Sequence, residues 1–370
     1  MTIPDIDFIL APPRVMTEVA LEPGHNALYS LVVLHKAHRL SGLEDWVERA
    51  ALTPAQQHTN HLVIEGLHYA LPMNRRWPDF PASVNYLAER NPRDLVEQIL
   101  RAYLDLARPK IGRDGRVVAS PEPADLLADR DLYLTFLQEQ FPAPHIDPDL
   151  EAEAHGLLND PPAMQNLMVS HLRDMWEMVL APEWTRVRPL LQASVDAFRQ
   201  ADMGRMSPLE VAEWVVGRPL EEDWESACLK DPEQIIFVPS AHIGPYLGRI
   251  AGNIDGRKTL WFFFGARQPR GVAYPSIDLS RSELLTRLNA LGDDTRLRIL
   301  SLLTEYEELC SQDILLKLNL SQSAVSRHLK QLSAAGFLIE RSQAAAKCYR
   351  LSPRRIEDTL QALERFLLVK

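Results

Sequence analysis

Between Leu320 and Leu332 the apolar residues Val325, Leu329 and Leu332 recur at i, i+4 and i+7, while Ser323, Ser326, Arg327 and Lys330 fall on the other side. That pattern predicts a short helix with one packing stripe and one polar, basic stripe. Ser321 stands where an N-cap is needed, and Gly336 can take the left-handed position that ends the helix. Upstream, Ser311 to Leu318 reads as another short helix, capped by Ser311 and joined to the first through Asn319-Leu320. This is helix-turn-helix spacing. Further back, Leu291 to Leu300 opens a helix with Asp293 as its cap. Downstream, Phe337 to Arg341 and Lys347 to Leu351 read as the strands of a hairpin, or wing. Its tip, Ser342-Gln343-Ala344-Ala345-Ala346, has no residue suited to a tight primed turn, which predicts a longer or mobile connection.

The preceding residues read as a strand near Asp7 to Ala20, broken by Pro12-Pro13, and then mostly helices. Thr53-Pro54 caps and opens a helix to about Tyr69, Pro92 to Leu106 is amphipathic, and Ala124 to Gln140 is a further helix. The proline-rich stretch around 141–149 breaks the periodicity and marks a sub-boundary. Asp160-Pro161 starts a helix toward Leu180, Pro182-Glu183-Trp184 another toward Gln200, and Ser207-Pro208-Leu209-Glu210 is a capping box for a third. Strands are predicted at Gln234 to Pro239 and Lys258 to Phe264, and Arg267 to Pro275 reads as a linker. Pairing the first strand with these two would close an α+β body. The expected architecture is therefore mainly α with small β elements: an α+β N-terminal body, residues 1–275, followed by a winged helix-turn-helix, residues 280–370.

A capped helix with a small-polar and basic face suits the major groove, where Arg bonds guanine bidentately and Ser or Gln reaches base edges or phosphates. The strings LGDDTRLRIL, ELCSQDI, LSQSAVSRHLKQL, AAGFLIERS and CYRL occur in order across residues 280–369. In these the segment resembles the winged-helix domain of the ArsR-type (arsenical-resistance repressor) transcriptional regulators. The resemblance covers about a quarter of the chain. It implies a homodimer that binds double-stranded operator DNA as a repressor and releases it when an effector arrives; some larger members carry a long N-terminal domain of unassigned role. The expected DNA-binding residues are Ser321, Gln322, Ser323, Ser326, Arg327 and Lys330 on the recognition helix, with Arg341 and Lys347 on the wing. Among these, Ser323, Ser326 and Arg327 are expected at base edges. Leu284, Leu285 and Leu288 before the motif, and Ile356, Leu360, Leu363 and Leu367 after it, form apolar stripes expected to pair across a two-fold axis. Packing of both stripes against the body is the alternative.

The metal chemistry of the family does not carry over. Members that sense soft metals often carry Cys-x-Cys where this chain reads Cys310-Ser311-Gln312, and the zinc-sensing variant uses Asp and His on the last helix, where residues 353–370 contain no His. No cofactor is expected. Cys310 reads as a small buried side chain without a partner thiol, its thiolate disfavoured by Glu305, Glu307, Glu308 and Asp313. Release of DNA is accordingly expected to be driven from the body. In that body His58, His61, Glu65 and His68 fall near one face of a predicted helix and are weak metal candidates, set against ordinary exposed or capped histidines. Ser240 and His242 follow a strand, but no G-x-S-x-G elbow and no phosphate-binding glycine loop occurs, so no enzyme is expected.

Charge sharpens the division. The net charge is −10, but residues 279–370 hold 14 Lys and Arg against 11 Asp and Glu, net +3, leaving 26 against 39, net −13, for residues 1–278. A weakly basic module on an acidic body fits a protein that touches DNA with one end. Three cysteines imply no disulfide framework, and the apolar runs are too short to span a bilayer. The opening MTIPDIDFIL lacks a basic n-region, so a cytoplasmic protein without a membrane partner is expected. The chain thus reads as an effector-responsive homodimeric repressor. The alternative is an interaction scaffold or an enzyme body localised on DNA by a winged helix.

Overall fold

The structure, a computed structural model, describes residues 15–368 except 38–39, 41–42, 44, 51, 108–119, 142–145, 201–202, 221–228, 230, 245, 268–276 and 344–345. The chain forms two compact units, Glu22–Pro189 and Met1–Leu21 with Leu190–Lys370. Among the described residues no helix is long and apolar enough to cross a membrane.

The first unit is helical: α1 (Pro23–Lys36), α2 (Asp45–Arg49), α3 (Pro54–His61), α4 (Phe80–Glu89), α5 (Pro92–Leu106), α6 (Pro123–Ala128), α7 (Arg130–Gln140), α8 (Pro148–Leu158) and α9 (Pro161–Met175). A recurring local device starts these helices. Thr53-Pro54, Asn91-Pro92, Asp147-Pro148 and Asp160-Pro161 each place a side-chain acceptor on a first-turn amide, and a proline where the missing N–H costs nothing. The helix expected to run from Thr53 to Tyr69 stops at His61 and continues as one wider turn, Leu62–Gly66. The stretch Ala124 to Gln140 divides at Asp129, whose carboxylate caps α7 instead of continuing α6. Helices on both sides of the 141–149 break bury residues in one core, with Tyr133 and Leu137 on one side and Leu150, Ala154 and Leu158 on the other.

The second unit carries two small sheets. Strands β1 (Met16–Val19), β2 (Gln234–Ser240), β3 (Gly248–Ile254) and β4 (Arg257–Gly265) pair in the order β1-β2-β4-β3, so the start of the chain joins the strands far downstream as expected. The β1–β2 and β2–β4 pairs are parallel, and β2 and β4 are near-continuous apolar runs buried along almost their whole length. Of the expected Asp7–Ala20 strand, Met16–Val19 forms among the described residues; residues 1–14 lie outside them, as does most of the expected linker. Sequence reading missed β3, although Asp255-Gly256, both at positive φ, is a strong signal for the β3–β4 hairpin. Two helices, α10 (Ala181–Arg199) and α11 (Pro208–Val216), contribute Val195, Phe198, Val211 and Val215 to the core of this sheet. The Ser207 capping box is present. The remainder runs α12 (Ile277–Leu291), α13 (Asp294–Glu305), β5 (Leu309–Cys310), α14 (Ser311–Leu318), α15 (Gln322–Ala334), β6 (Leu338–Gln343), β7 (Ala346–Leu351) and α16 (Pro353–Leu368), which is a winged helix-turn-helix.

In the helical unit Glu151 is buried and accepts from the Tyr133 hydroxyl at 2.8 Å. Burial pushes its carboxyl up to about 7, against hydrogen bonds from Tyr133 and Tyr103 that favour the charged form. A raised carboxyl holds its proton in the folded state through the window from 4.5 to about 7, so its contribution is complete below that window and lost as pH rises through it. Denaturant unfolding of Glu151→Gln should therefore show less loss of stability than wild type between pH 4.5 and 8, by up to roughly 3 kcal/mol. Identical pH slopes for the two proteins would contradict this account.

Candidate nucleic-acid interface

The Ser321 hydroxyl accepts from the Ala324 amide at 3.3 Å, so the N-cap read from the sequence opens α15. Asn319 turns the chain from α14 into α15 in the left-handed conformation, at φ 53°. Gly336 follows α15 at φ 81°, as its place in the sequence suggested. Behind the helix, Val325, Leu329 and Leu332 are buried in a core with Ile299, Leu303, Ile314, Phe337 and Tyr349. On its outer side Ser321, Gln322, Ser323, Ser326, Arg327 and Lys330 are all exposed. The cap of α14 differs from expectation. Cys310 occupies the N-cap position, and the Asp313 carboxylate accepts from the Cys310 amide at 3.1 Å, so Ser311 is the first helical residue.

One buried arginine fixes the recognition helix from behind. The Arg296 guanidinium donates to the Ala290 carbonyl at 2.6 Å, the Asn289 carbonyl at 2.7 Å and Gln331 Oε1 at 2.6 Å, tying the end of α12 to α15. His328 lies 3.6 Å from Asp293, and burial lowers its pKa, so near neutral pH it adds no charge to the face. Lys330, expected at phosphates, has its ammonium 5.7 Å from the centre of the Tyr246 ring, so its position is set partly from outside the winged helix.

The wing ladder runs to Gln343 opposite Ala346, so the pairing extends beyond the expected strands. This corrects the long tip: the connection shortens to Ala344-Ala345, which lie outside the described residues. Arg341 and Lys347 are exposed, and Lys347 sits 3.5 Å from Glu340.

Cys310 departs most from the sequence reading. It lies opposite Cys348 in the β5–β7 pairing, and the two are joined in a disulfide, so Cys310 does have a partner thiol. Sequence separation hid this pair: the two cysteines are 38 residues apart and meet only because β7 returns beside the residue preceding α14.

Of the apolar stripes, Leu284 is buried and Leu288, Ile356 and Leu363 are half-buried, whereas Leu360, Leu367, Leu285 and Phe366 are exposed. In the helical unit the candidate metal ligands do not converge. His58 pairs with Glu153 at 2.8 Å, His61 stacks on His35, and His68 Nδ1 lies 2.6 Å from the Glu65 carbonyl. Among the described residues no three His, Cys, Asp or Glu side chains form a group suited to a metal ion. Ser240 Oγ accepts the His242 amide, a local turn contact.

A helix-turn-helix with an exposed polar recognition face and a paired wing defines the class of winged helix-turn-helix proteins. Residues 293–340 match the model of the bacterial regulatory protein, arsR family. The arsenical resistance operon repressor of Escherichia coli is 48% identical over 63 residues, 17% of this chain and 54% of that protein. The arsenic resistance transcriptional regulator ArsR2 of Pseudomonas putida is 38% identical over 85 residues, 21% of this chain and 74% of that protein. The chain thus spans about half the length of the first and three quarters of the second. Among solved structures, reduced HlyU from Vibrio cholerae is similar at 31% identity over 24% of this chain and 92% of that one, with a TM-score of 0.20. The chain belongs to the arsR family, and residues 293–340 are its DNA-binding helix-turn-helix.

The disulfide has a direct chemical readout. Thiol titration of the denatured, unreduced protein should find one reactive cysteine, Cys228, and three after reduction. Three before reduction would remove the Cys310–Cys348 bond from the account.

Proposed function

We propose that the protein is a cytoplasmic, homodimeric transcriptional repressor that binds operator DNA through α15 and the wing, responds to a small effector, and is not an enzyme. The observation that carries this reading is the face of α15: six exposed Ser, Gln, Arg and Lys residues stand over a fully packed stripe, on a helix capped at its start. Such a helix meets the major groove with side chains of the required chemistry. Ser323, Ser326 and Arg327 are assigned to base edges, Gln322, Arg341 and Lys347 to phosphates, and Lys330 to a phosphate within reach of Tyr246. Residues 1–275 are assigned as the input body and 280–370 as the output module. The input role is supported by the compact unit that β1–β4 share with the winged helix, because a change in the sheet can then bias the geometry of the DNA-binding elements.

For the dimer we assign the exposed leucines of α16, Leu360 and Leu367, with Phe366 beside them, and the half-buried Ile356 and Leu363 at their edge. Leu284 is buried and Leu288 half-buried, and α12 packs on α16. They support the surface from beneath.

Titration of DNA from the region upstream of the gene, in parallel with random duplex, tests the base assignment. Arg327→Ala should cost about 1–3 kcal/mol on the specific site and much less on random DNA. Equal losses would move Arg327 to the phosphate class, and no loss on either would remove α15 from the interface. Sedimentation of the double variant Leu360→Asp, Leu363→Asp should show monomers with unchanged helical content. A persistent dimer would assign association to the body.

A further inference from the structure

Tyr246 lies outside the winged helix, in the connection between β2 and β3, yet its side chain meets the recognition helix. Both belong to the unit formed by Met1–Leu21 and Leu190–Lys370. Two observations place the ring. Its centre is 5.7 Å from the Lys330 ammonium, and it lines one cavity with Ala334, the last residue of α15, and with Ala335 just beyond. Positions 330 and 334 are one helical turn apart, so a single buried ring from the sheet side stands against the C-terminal half of α15.

The backbone around Tyr246 is tied to the end of the sheet. Its amide donates to the Ile243 carbonyl at 3.3 Å, and Gly244 between them lies at φ 59°, a conformation that disfavours a residue with a Cβ. The Gly244 carbonyl sits close against the last residue of β4. A Cβ at Gly265 would stand 2.6 Å from that oxygen, so the approach needs a glycine there as well. Just past β4, the Ala266 amide donates to the Ser240 carbonyl at the end of β2, at 2.9 Å. Leu247, next in the chain, packs on the core of the sheet. The position of the ring is thus set by the sheet, not by α15.

We propose that Tyr246 is a positioning residue of the DNA interface, whose ring holds the Lys330 ammonium where a backbone phosphate meets it. The chemistry of the pair supports this. Among the described residues no carboxylate pairs with Lys330, and its partner is the ring. A carboxylate would fix the side chain but also cancel the charge that a phosphate needs. The face of a neutral ring attracts the ammonium through its quadrupole and leaves that charge whole. A lysine on its four-carbon stem loses rotamer freedom when it is immobilised, and one already held over a ring has less to lose when DNA arrives. Lys330 is exposed on the face that carries Ser323, Ser326 and Arg327, whereas Tyr246 is buried, so the ring backs the ammonium from the protein side. The body thereby contributes to the DNA interface through a residue outside the helix-turn-helix. This inference rests on the assignment of α15 and Lys330 to DNA made above.

Titration of the full-length protein with duplex from its upstream region and with random duplex, at several salt concentrations, tests the role. Lys330→Ala should weaken binding to both and reduce the salt slope by about one, because a phosphate contact carries no sequence information. Tyr246→Phe, which keeps the ring, should bind as wild type does. Tyr246→Leu should bind both duplexes about two- to fivefold more weakly, and in the Lys330→Ala background the same change should cost nothing further. Pentafluorophenylalanine at position 246 guards against a folding defect in Tyr246→Leu, since it has the shape of phenylalanine with the polarity of the ring face reversed. It should weaken binding relative to Tyr246→Phe at an unchanged melting temperature. A Tyr246→Leu loss of equal size with and without Lys330, tighter binding by Tyr246→Leu, or equal affinities with phenylalanine and its fluorinated form overturns the proposal. A wild-type protein that binds neither duplex rejects the proposed function and this inference with it, whereas wild-type binding without the coupling rejects the positioning role alone.

Discussion

The placement of α15 depends on one buried guanidinium. Arg296 sits on α13, yet all three of its strong bonds go elsewhere: two to carbonyls at the end of α12 and one to Gln331 in the body of α15. Carbonyls at a helix end have no partner within the helix and must be satisfied from outside. A fixed positive charge satisfies two of them and at the same time grips the recognition helix on its inner side. Breaking the set would leave the buried charge with only the Asp293 carboxylate, 3.9 Å away, which costs more than the net worth of the bonds themselves. The exposed face of α15, with its serines and Arg327, is therefore held on a fixed mount.

The same logic of borrowed partners recurs one turn further on, at the C-terminal end of α15. The Ala335 carbonyl, just past its last residue, is met by Arg355 from α16, which also donates to the Gly217 carbonyl at the end of α11. The C-terminal part of α15 is thus held by Arg296 from within the helix-turn-helix and by Arg355, which also bonds the end of α11. Arg355, and Lys330 over the Tyr246 ring, are contacts through which α15 meets groups outside the winged helix.

Local signals made much of this legible from the sequence. Ser321, Asp293, Gly336 and the Thr53-Pro54, Pro92 and Ser207 starts depend on residues within one turn of each other, and each appears where its chemistry requires. The buried stripe Val325, Leu329 and Leu332 follows from periodicity in the same way. What escaped depends on long-range return of the chain. Cys310 and Cys348 meet through β7, Arg218, Arg267, Arg287 and Arg355 meet through the packing of four elements, and the burial of Leu284 depends on helices that sequence spacing does not place. The strand β3 was missed for another reason. Its polar alternate residues and two glycines weaken the strand signal, and only the Asp255-Gly256 turn revealed it.

The claim on which the rest stands is that the outer face of α15 is the surface that enters the major groove. Site-specific photocrosslinking reads this without relying on affinity. With p-benzoylphenylalanine placed at position 326 in the full-length protein bound to duplex from its own upstream region, irradiation should attach the protein to bases within the protected site. Crosslinking confined to the sugar-phosphate backbone, or none from a complex that demonstrably holds the duplex, would show that another surface carries the DNA.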